Sequence, residues 1–568
     1  MRNLMKLMLA SALVTAAACA LIQPPLGLQA IPKPQHERPD APGQRAAFDN
    51  ARRLPPGASA INPAWYAAAE AQARRLPSFS TEAGRFVTGE KTSPRWQWLG
   101  PSNVGGRTRT LVFDPRDPQR MLAGGVSGGI FETTNGGVFW NSLNDDAANI
   151  NIGALVFDPV TPDTIYAGTG ELYRNNERPF AAMWGQGILR STDNGQSFRQ
   201  LVATANDNFR YVSDLVISPL DHRRIYAATN TGVWRSDDGG NNFVQILRPV
   251  DAGGGLLYEG CTDLQLLPGS DALLASCASR SEDDRYWLPN TVVPPACNGP
   301  CPATVFRTDD ATGTPGWQVV LSENGMGRTS LALAPSNPNI LYALAASTVP
   351  GPDRNNDGRG DYDNGLHAVF RSNDGGRTWE ARVRNSSADV LSTYLLSYAD
   401  GFEAVRCNFG SFDAYSAGWY NQAIAVNPLN PDSVWVAGME LYRSDDGGRS
   451  FGKASYWWLD GVHPGGVHAD QHSLHFHPNY GQGTRRLYTT NDGGVAYTNA
   501  DTAPVNRAAN AACTPNNGGV SWTTIEEGLG SVQFYTGTVN DQGTVWMGGA
   551  QDNGTLLQST FSSGNIFS

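Results

Sequence analysis

Charge is scarce in this sequence. Only 17% of its 568 residues are Asp, Glu, Lys or Arg, and acids outnumber bases 53 to 42, giving a formal net charge of −11. Such a chain has no broad basic surface to neutralise phosphates and release counterions, so nucleic acid is not an expected partner. Long apolar runs are lacking as well. The one candidate, MLASALVTAAACALI behind Arg2 and Lys6, is short and alanine-rich and reads as a secretory signal rather than a membrane span. Cleavage is expected after Ala20 or Ala30, leaving a mature chain that is secreted, periplasmic or on the cell surface and has no transmembrane span. Ala16 stands where a lipobox carries a large aliphatic residue, so lipidation at Cys19 is not expected.

Cysteine is sparse too. Outside the signal six remain, Cys261, Cys277, Cys297, Cys301, Cys407 and Cys513, an even count that in an exported chain points to disulfides, in any of 15 pairings. Zinc at Cys297 and Cys301 is disfavoured because no second close thiol pair accompanies them. The sequence also has no phosphate loop, which removes a common route to phosphoryl-transfer chemistry.

What is abundant is turn chemistry. Gly occurs 63 times and Pro 36 times, with 15 Trp, a composition that suits many short strands joined by tight turns. A two-part unit recurs. Its first part is an apolar strand, a Pro-containing turn and a second strand, as in LVFDPRDPQRMLAGG, LVFDPVTPDTIYAGTG, LVISPLDHRRIYAATN, LALAPSNPNILYALAA and IAVNPLNPDSVWVAGM. The second part is a strand, a Ser/Thr-x-Asp-x-Gly hairpin and an aromatic, as in ETTNGGVFW, RSTDNGQSF, RSDDGGNNF, RSNDGGRTW and RSDDGGRSF. Two degenerate copies, LQLLPGSDALLASC with FRTDDATGTPGW and LHFHPNYGQGTRRLYTTND with NNGGVSW, bring the number of units to seven. Each unit predicts four antiparallel strands, a to d, with the box as the c–d hairpin. Asp193, Asp238, Asp374 and Asp446 are expected to accept backbone N–H bonds within the turn, and the following Gly to supply positive φ. Trp140, Phe198, Phe243, Trp379 and Phe451 are expected to bury against the neighbouring sheet. No unit can hide its apolar face alone, so the units must stack radially.

These boxes resemble the BNR or Asp-box repeats of sialidases, xyloglucanases and sortilin-type receptor domains. The ordered series GGRTRTLVFDP, GWYNQAIAVNPLNP, VHADQHSLHFHP, NDGGV and GGAQDNGT is similar to landmarks of large secreted bacterial proteins with sortilin-like (VPS10-type) propellers, over roughly residues 96–556. The resemblance implies an all-β propeller of seven or eight four-stranded blades and leaves activity open, because the box is a turn device shared by hydrolases and non-enzymes. Residues 31–95 read as a pro-segment or arm with one short helix capped by Asn62, and 96–568 as the propeller. After the seventh box, QFYTGTVNDQGTVWMGGAQDNGTLLQS offers three strands of a further blade. Either WQWLG near the N-terminus supplies its fourth strand and closes an eight-bladed ring, or the chain simply stops early.

In a four-stranded blade the a–b and c–d connections share one face and the b–c and d–a connections the other. The boxes therefore mark one face, and the long insertions, at 171–186, 278–303, 347–367 and 383–420, all fall on the opposite one, where a rigid scaffold presents its binding surface. The b–c turns place Glu171, Asn230, Glu440, Asp492 and Asp552 near the axis. In VHADQH, alternation puts His468, Asp470 and His472 on one side of an extended segment, where they read either as a polar plug or as a metal-binding or acid–base set. Asp353, Asn355, Asp357, Asp361 and Asp363, in DRNNDGRGDYDN, form a candidate calcium loop that departs from an EF-hand at Asn364, where a Glu is required.

Two functions stay open. The first is an exported propeller that binds a polysaccharide or protein on the face opposite the boxes, with Trp184, Trp287 and Trp419 as stacking surfaces and His468, His472 and Asp492 as polar contacts. The alternative is a glycoside hydrolase with paired carboxylates drawn from Glu171, Glu440, Asp470 and Asp552. Sialidase activity is not expected, because the arginine triad and Arg-Ile-Pro segment of sialidases do not appear.

Overall fold

Alternating apolar stretches broken by Pro, Asp and Gly fold here into eight four-stranded antiparallel sheets, each built from consecutive strands. The computed structural model describes residues 62–73, 78–80, 85–87, 100–143, 149–172, 183–249, 260–278, 302–349, 365–387, 390–398, 415–508 and 519–559, with a few positions beside them. The first strands of sheets 1 to 7 are Thr108–Phe113, Ile152–Phe157, Val212–Ile217, Cys261–Leu266, Met326–Leu333, Ala423–Val426 and Gln471–Phe476. Each packs against the first strand of the next sheet, and that of sheet 7 returns to that of sheet 1. This is a β-propeller arrangement with the a strands around the axis. Sheet 8 begins with Phe534–Val539, which is exposed along its whole length, and takes its fourth strand from Ile566–Phe567. That strand replaces the expected contribution from WQWLG, of which only Gly100 lies within the described residues.

Ring closure uses no exchanged strand. Instead the indole N–H of Trp140 in sheet 1 donates to the Ile525 carbonyl beyond sheet 7, at 2.7 Å, and its ring joins the Tyr488, Val495 and Leu529 cluster. Trp317 donates to Ile246 of sheet 3 at 2.8 Å, and Trp522 to Ala454 at 2.9 Å. The two degenerate units thus keep the one residue that reaches back to the preceding sheet. Trp140 and Phe451 are fully buried, while Phe198, Phe243 and Trp379 pack half-buried against their clusters.

The box turns follow from their residue types. In the turn of sheet 5 the Ser372 hydroxyl donates to Asp374 Oδ1 at 2.8 Å and accepts the Gly376 N–H at 2.9 Å, while Asp374 accepts the N–H groups of Arg377 and Thr378. The same bonds recur around Asp193, Asp238 and Asp446. Two consecutive left-handed residues are needed rather than one: Gly375 and Gly376 have φ of 73° and 82°, and Asn194 takes the first of these positions in sheet 2. Although burial pushes the other way, bonds from Thr378 and Ser372 hold the Asp374 carboxyl down to about 2, so this stabilisation is present above the ordinary carboxylate range and is lost as pH falls toward 2. Ser372→Ala is expected to lower stability by about 1–3 kcal/mol, since it strands a buried N–H; the urea midpoint of the full chain measures it.

A disulfide joins Cys261 to Cys277, which face each other across the first two strands of sheet 4. The remaining cysteines and the candidate calcium loop, Asp353 to Asp363, lie outside the described residues. The expected helix is present at Pro63–Ala73, with Asn62 Oδ1 accepting the Ala64 N–H at 2.9 Å, and Gln200 of sheet 2 donates to the Pro63 carbonyl.

Candidate active site

The first strand of nearly every sheet starts with a register shift. In sheet 1 it falls between Thr108 and Thr110, in sheet 3 between Val212 and Asp214, in sheet 4 between Cys261 and Asp263, and in sheet 7 between Gln471 and Ser473. A bulge leaves one residue unpaired and re-aims its side chain. The residues so placed include Arg109, Ser213, Thr262 and His472, and all four line the axial cavity. Bulges therefore bring these four polar side chains to the axis.

At the end of the axis on the b–c side these side chains form a closed network. Arg109 pairs with Glu171 and donates to His472 Nδ1 at 2.9 Å. Because Nδ1 accepts, the opposite nitrogen, Nε2, carries the proton and donates to Asp492. Burial and the charges of Arg109 and Arg107 push the His472 imidazolium well below its usual range, which keeps the ring neutral and fixes this tautomer. Arg107 donates to Tyr420 Oη at 3.1 Å and to Gln533 Oε1 at 2.8 Å. Arg328 donates to the Tyr420 carbonyl at 2.6 Å. Glu171, Arg109 and His472 form a hydrogen-bonded plug at this end of the axis.

Above the plug the carboxyls gather. Asp492 sits in the Asp-Gly turn between the second and third strands of sheet 7, and a Cβ on Gly493 would lie 2.5 Å from His468 Cγ, so only glycine admits the histidine there. Asp470 precedes the first strand of sheet 7, fixed by its N–H to the Met439 carbonyl and by Gln471 N–H to Gly438. Asp552 occupies the b–c turn of sheet 8. Asp470 and Asp552 have φ of 65° and 59°, and besides Asn194 they are the non-glycine residues with positive φ among those described; such conformations persist where the surroundings impose them, often at functional sites.

The electrostatics follow from burial and mutual repulsion. Burial, then the charges of Asp492 and Asp552, push the Asp470 carboxyl up to about 8, while Asn421 donates to its Oδ1. Burial also raises Asp492 and Asp552, which hydrogen-bond to each other. That bond favours the ionised form of Asp492, which also faces Arg107, and the protonated form of Asp552, so the pair shares one proton. His468 is held between the carbonyls of Ala469 and Asp552, at 3.1 and 3.0 Å. Burial opposes its charge, but two acceptors and the nearby Asp492 raise its proton affinity. Two more carboxyls stand beside it: burial pushes Glu526 up to about 8, and raises Asp460.

The other expected site residues lie apart from this cluster or deeper. Glu440 is fully buried against Lys453 and accepts the Trp457 N–H. Asn230 holds the turn of sheet 3 through the Tyr211 N–H and the Asp207 carbonyl. Trp184 and Trp419 are half-buried, and Trp287 lies outside the described residues. Among the described residues no group of three His, Cys, Asp or Glu side chains is arranged to hold a metal; His472, one member of the proposed His468, Asp470 and His472 set, has both ring nitrogens engaged. Sequence reasoning missed Arg107, Arg109, Arg328, Tyr420 and Glu526. A signal was present for the arginines, in the Gly-Arg-Thr triplets at 106–108 and 327–329, whose Thr hydroxyls make the same bond to the Gly carbonyl at 2.9 Å.

No protein-family model matches the chain. Among curated proteins it is similar to a xyloglucanase of Hypocrea jecorina, with 24% identity over 375 residues that span 64% of this chain and 40% of that one. It is also similar to a xyloglucanase of Paenibacillus sp, with 29% identity over 163 residues, 27% of this chain and 15% of that one. The chain thus spans less than half the length of these curated relatives. Among solved structures the GH74 xyloglucanase from Xanthomonas campestris superposes with a TM-score of 0.52 at 17% identity, over 81% of this chain and 60% of that one, a likeness of fold. Among the described residues no helix is long and apolar enough to cross a membrane.

Proposed function

We propose that this chain is an exported glycoside hydrolase, or the ring-forming part of one, that cleaves a polysaccharide at the cluster of Asp470, Asp492 and Asp552. The observation that carries the reading is the convergence of these three carboxyls, from two b–c turns and one strand start, in surroundings that raise the proton affinity of each. Glycosidic cleavage needs an acid for the leaving oxygen and a carboxylate that attacks the sugar or activates water. Asp470 is suited to the first role, and the singly charged Asp492–Asp552 pair to the second. Asp552 is exposed and Asp470 half-exposed, so a polymer has access to both roles. The curated relatives named above are xyloglucanases, which favours this over a binding propeller and makes a xyloglucan-type β-glucan the first substrate to try.

The test is release of new reducing ends from xyloglucan and other soluble β-glucans by the full chain, alongside Asp470→Asn and Asp552→Asn. Turnover that both substitutions remove is expected. Binding of a glucan without turnover would overturn the hydrolase reading and return the site to the ligand-binding function.

A further inference from the structure

An acid must carry its proton on the oxygen that faces the substrate. A neutral carboxyl can hold it on either oxygen, and a hydrogen-bond donor settles which, because the carbonyl oxygen is the better acceptor. At Asp470 that donor is the Asn421 amide, whose Nδ2 bonds to Oδ1. Among the described residues no other side chain bonds to Asp470. Since Asp470 is half-exposed, Oδ2 is the oxygen open to a bound polymer.

Asn421 is held firmly from both sides. It lies just before the first strand of sheet 6, and its own N–H donates to the Ala417 carbonyl at 2.7 Å. On one side, Tyr420 accepts Arg107 on its hydroxyl and Arg328 on its carbonyl. On the other, Gln422 accepts from the Ser330 hydroxyl at 2.9 Å and donates to the Arg328 carbonyl at 3.1 Å. Residues at the starts of sheets 1 and 5 thus clamp the neighbours of Asn421, which is itself 1% exposed. A donor locked in this way keeps its geometry while the acid changes charge.

Stability alone does not account for an amide here. Asn421 Oδ1 is buried without a partner, and a buried carbonyl left unmet is destabilising. Leucine has nearly the same shape and carries no polar atom. Polar groups that break such a local rule are expected where function requires them.

We propose that Asn421 is a positioning residue for Asp470. It binds Oδ1, confines the acid's proton to Oδ2, and steadies the carboxylate that remains when this proton passes to the leaving glycosidic oxygen, which keeps the electron pair of the broken C–O bond. The purpose rests on the hydrolase reading, whereas the contact itself can be tested without turnover. The titratable groups that bear on Asp470 are Asp492, Asp552 and His468, with Arg107 beyond Asp492, and all four are kept in the test.

Thermal unfolding of the full chain, from about pH 4 to about pH 10, gives the Tm difference between each protein and its Asp470→Asn counterpart, in the wild-type and Asn421→Leu backgrounds. The amide favours the ionised carboxyl, so its loss raises the proton affinity of Asp470. The Tm difference should therefore level off about one pH unit higher in the leucine background, a tenfold change in the ionisation constant. Asn421→Leu itself should unfold within about 2 °C of wild type. On any glucan that the wild type cleaves, the alkaline limb should move by the same amount and kcat should fall about tenfold, with KM within about twofold. Asn421→Ala repeats both arms should leucine disturb the fold. A plateau that stays in place, or an unchanged kcat where the wild type is active, overturns the proposal and makes Asn421 a structural residue. A plateau that moves down overturns it as well, since the amide oxygen would then face Asp470. If the plateau moves up in a chain that cleaves nothing, the Asn421 contact stands and the hydrolase reading falls.

Discussion

Asn in place of Asp470 is expected to lower turnover on any polysaccharide the chain cleaves by about 10²- to 10⁴-fold, the range typical of a lost general acid. The side chain stays the same size and can still accept from Asn421, so what disappears is the transferable proton. The wild-type rate should fall as pH rises through about 8, where Asp470 loses that proton, and the variant's residual rate should lack this limb. Stability carries a second signature, at lower pH. A carboxyl whose folded value lies above its unfolded one binds more protons in the folded state, so its contribution declines as pH rises from the ordinary range near 3.8 toward 8 and is constant beyond. The Tm of Asp470→Asn relative to wild type should therefore climb across that window. A flat difference in Tm would mean that Asp470 ionises normally, and the assignment of the acid would fail with it.

Glu440→Ala is expected to be the most destabilising single substitution among the polar residues, by about 3–5 kcal/mol. Both Glu440 and Lys453 side chains have 0% exposure, and the Lys453 ammonium also lies over the faces of Tyr456 and Trp458, at 5.0 and 4.7 Å. Burial lowers the proton affinity of Lys453 and Glu440 restores part of it, so removing the carboxylate leaves an ammonium in an apolar box. Replacing both, as Glu440→Leu with Lys453→Met, should recover most of the loss, because desolvating a buried pair costs nearly what its attraction returns. Urea unfolding of the two variants decides it. A loss below about 1 kcal/mol for the single change would place the pair in contact with water.

The repeat made the architecture legible. Ser-x-Asp-x-Gly turns, period-2 strands and the trailing aromatics are local devices whose residue types state their geometry. Asp193, Asp238, Asp374 and Asp446 accordingly stand where the pattern puts them. The candidate site was legible in part. Asp470, Asp492, Asp552, His468 and His472 were visible as polar residues at b–c turns and a strand start, but so were Glu171 and Glu440, and nothing in the pattern distinguishes the two sets. Which carboxyl meets an arginine, a lysine or another carboxyl depends on contacts between residues as distant as Arg109 and Glu171, or Asp492 and Asp552. The bulges that turn Arg109, Ser213, Thr262 and His472 toward the axis also leave no mark on an alternation pattern, since each adds only one residue to its strand.

The sequence by itself determined the strand-turn grammar, the four-strand unit and the face on which the boxes lie, because these rest on interactions within about ten residues. Tertiary structure decided that seven sheets close through Trp140 while an eighth keeps its first strand exposed. It likewise decided that, of Glu171, Glu440, Asp492 and Asp552, it is Asp492 and Asp552 whose charges bear on Asp470. Ring closure and proton affinity are properties of surfaces brought together from opposite ends of the chain, and burial and Coulomb repulsion act only once those surfaces meet.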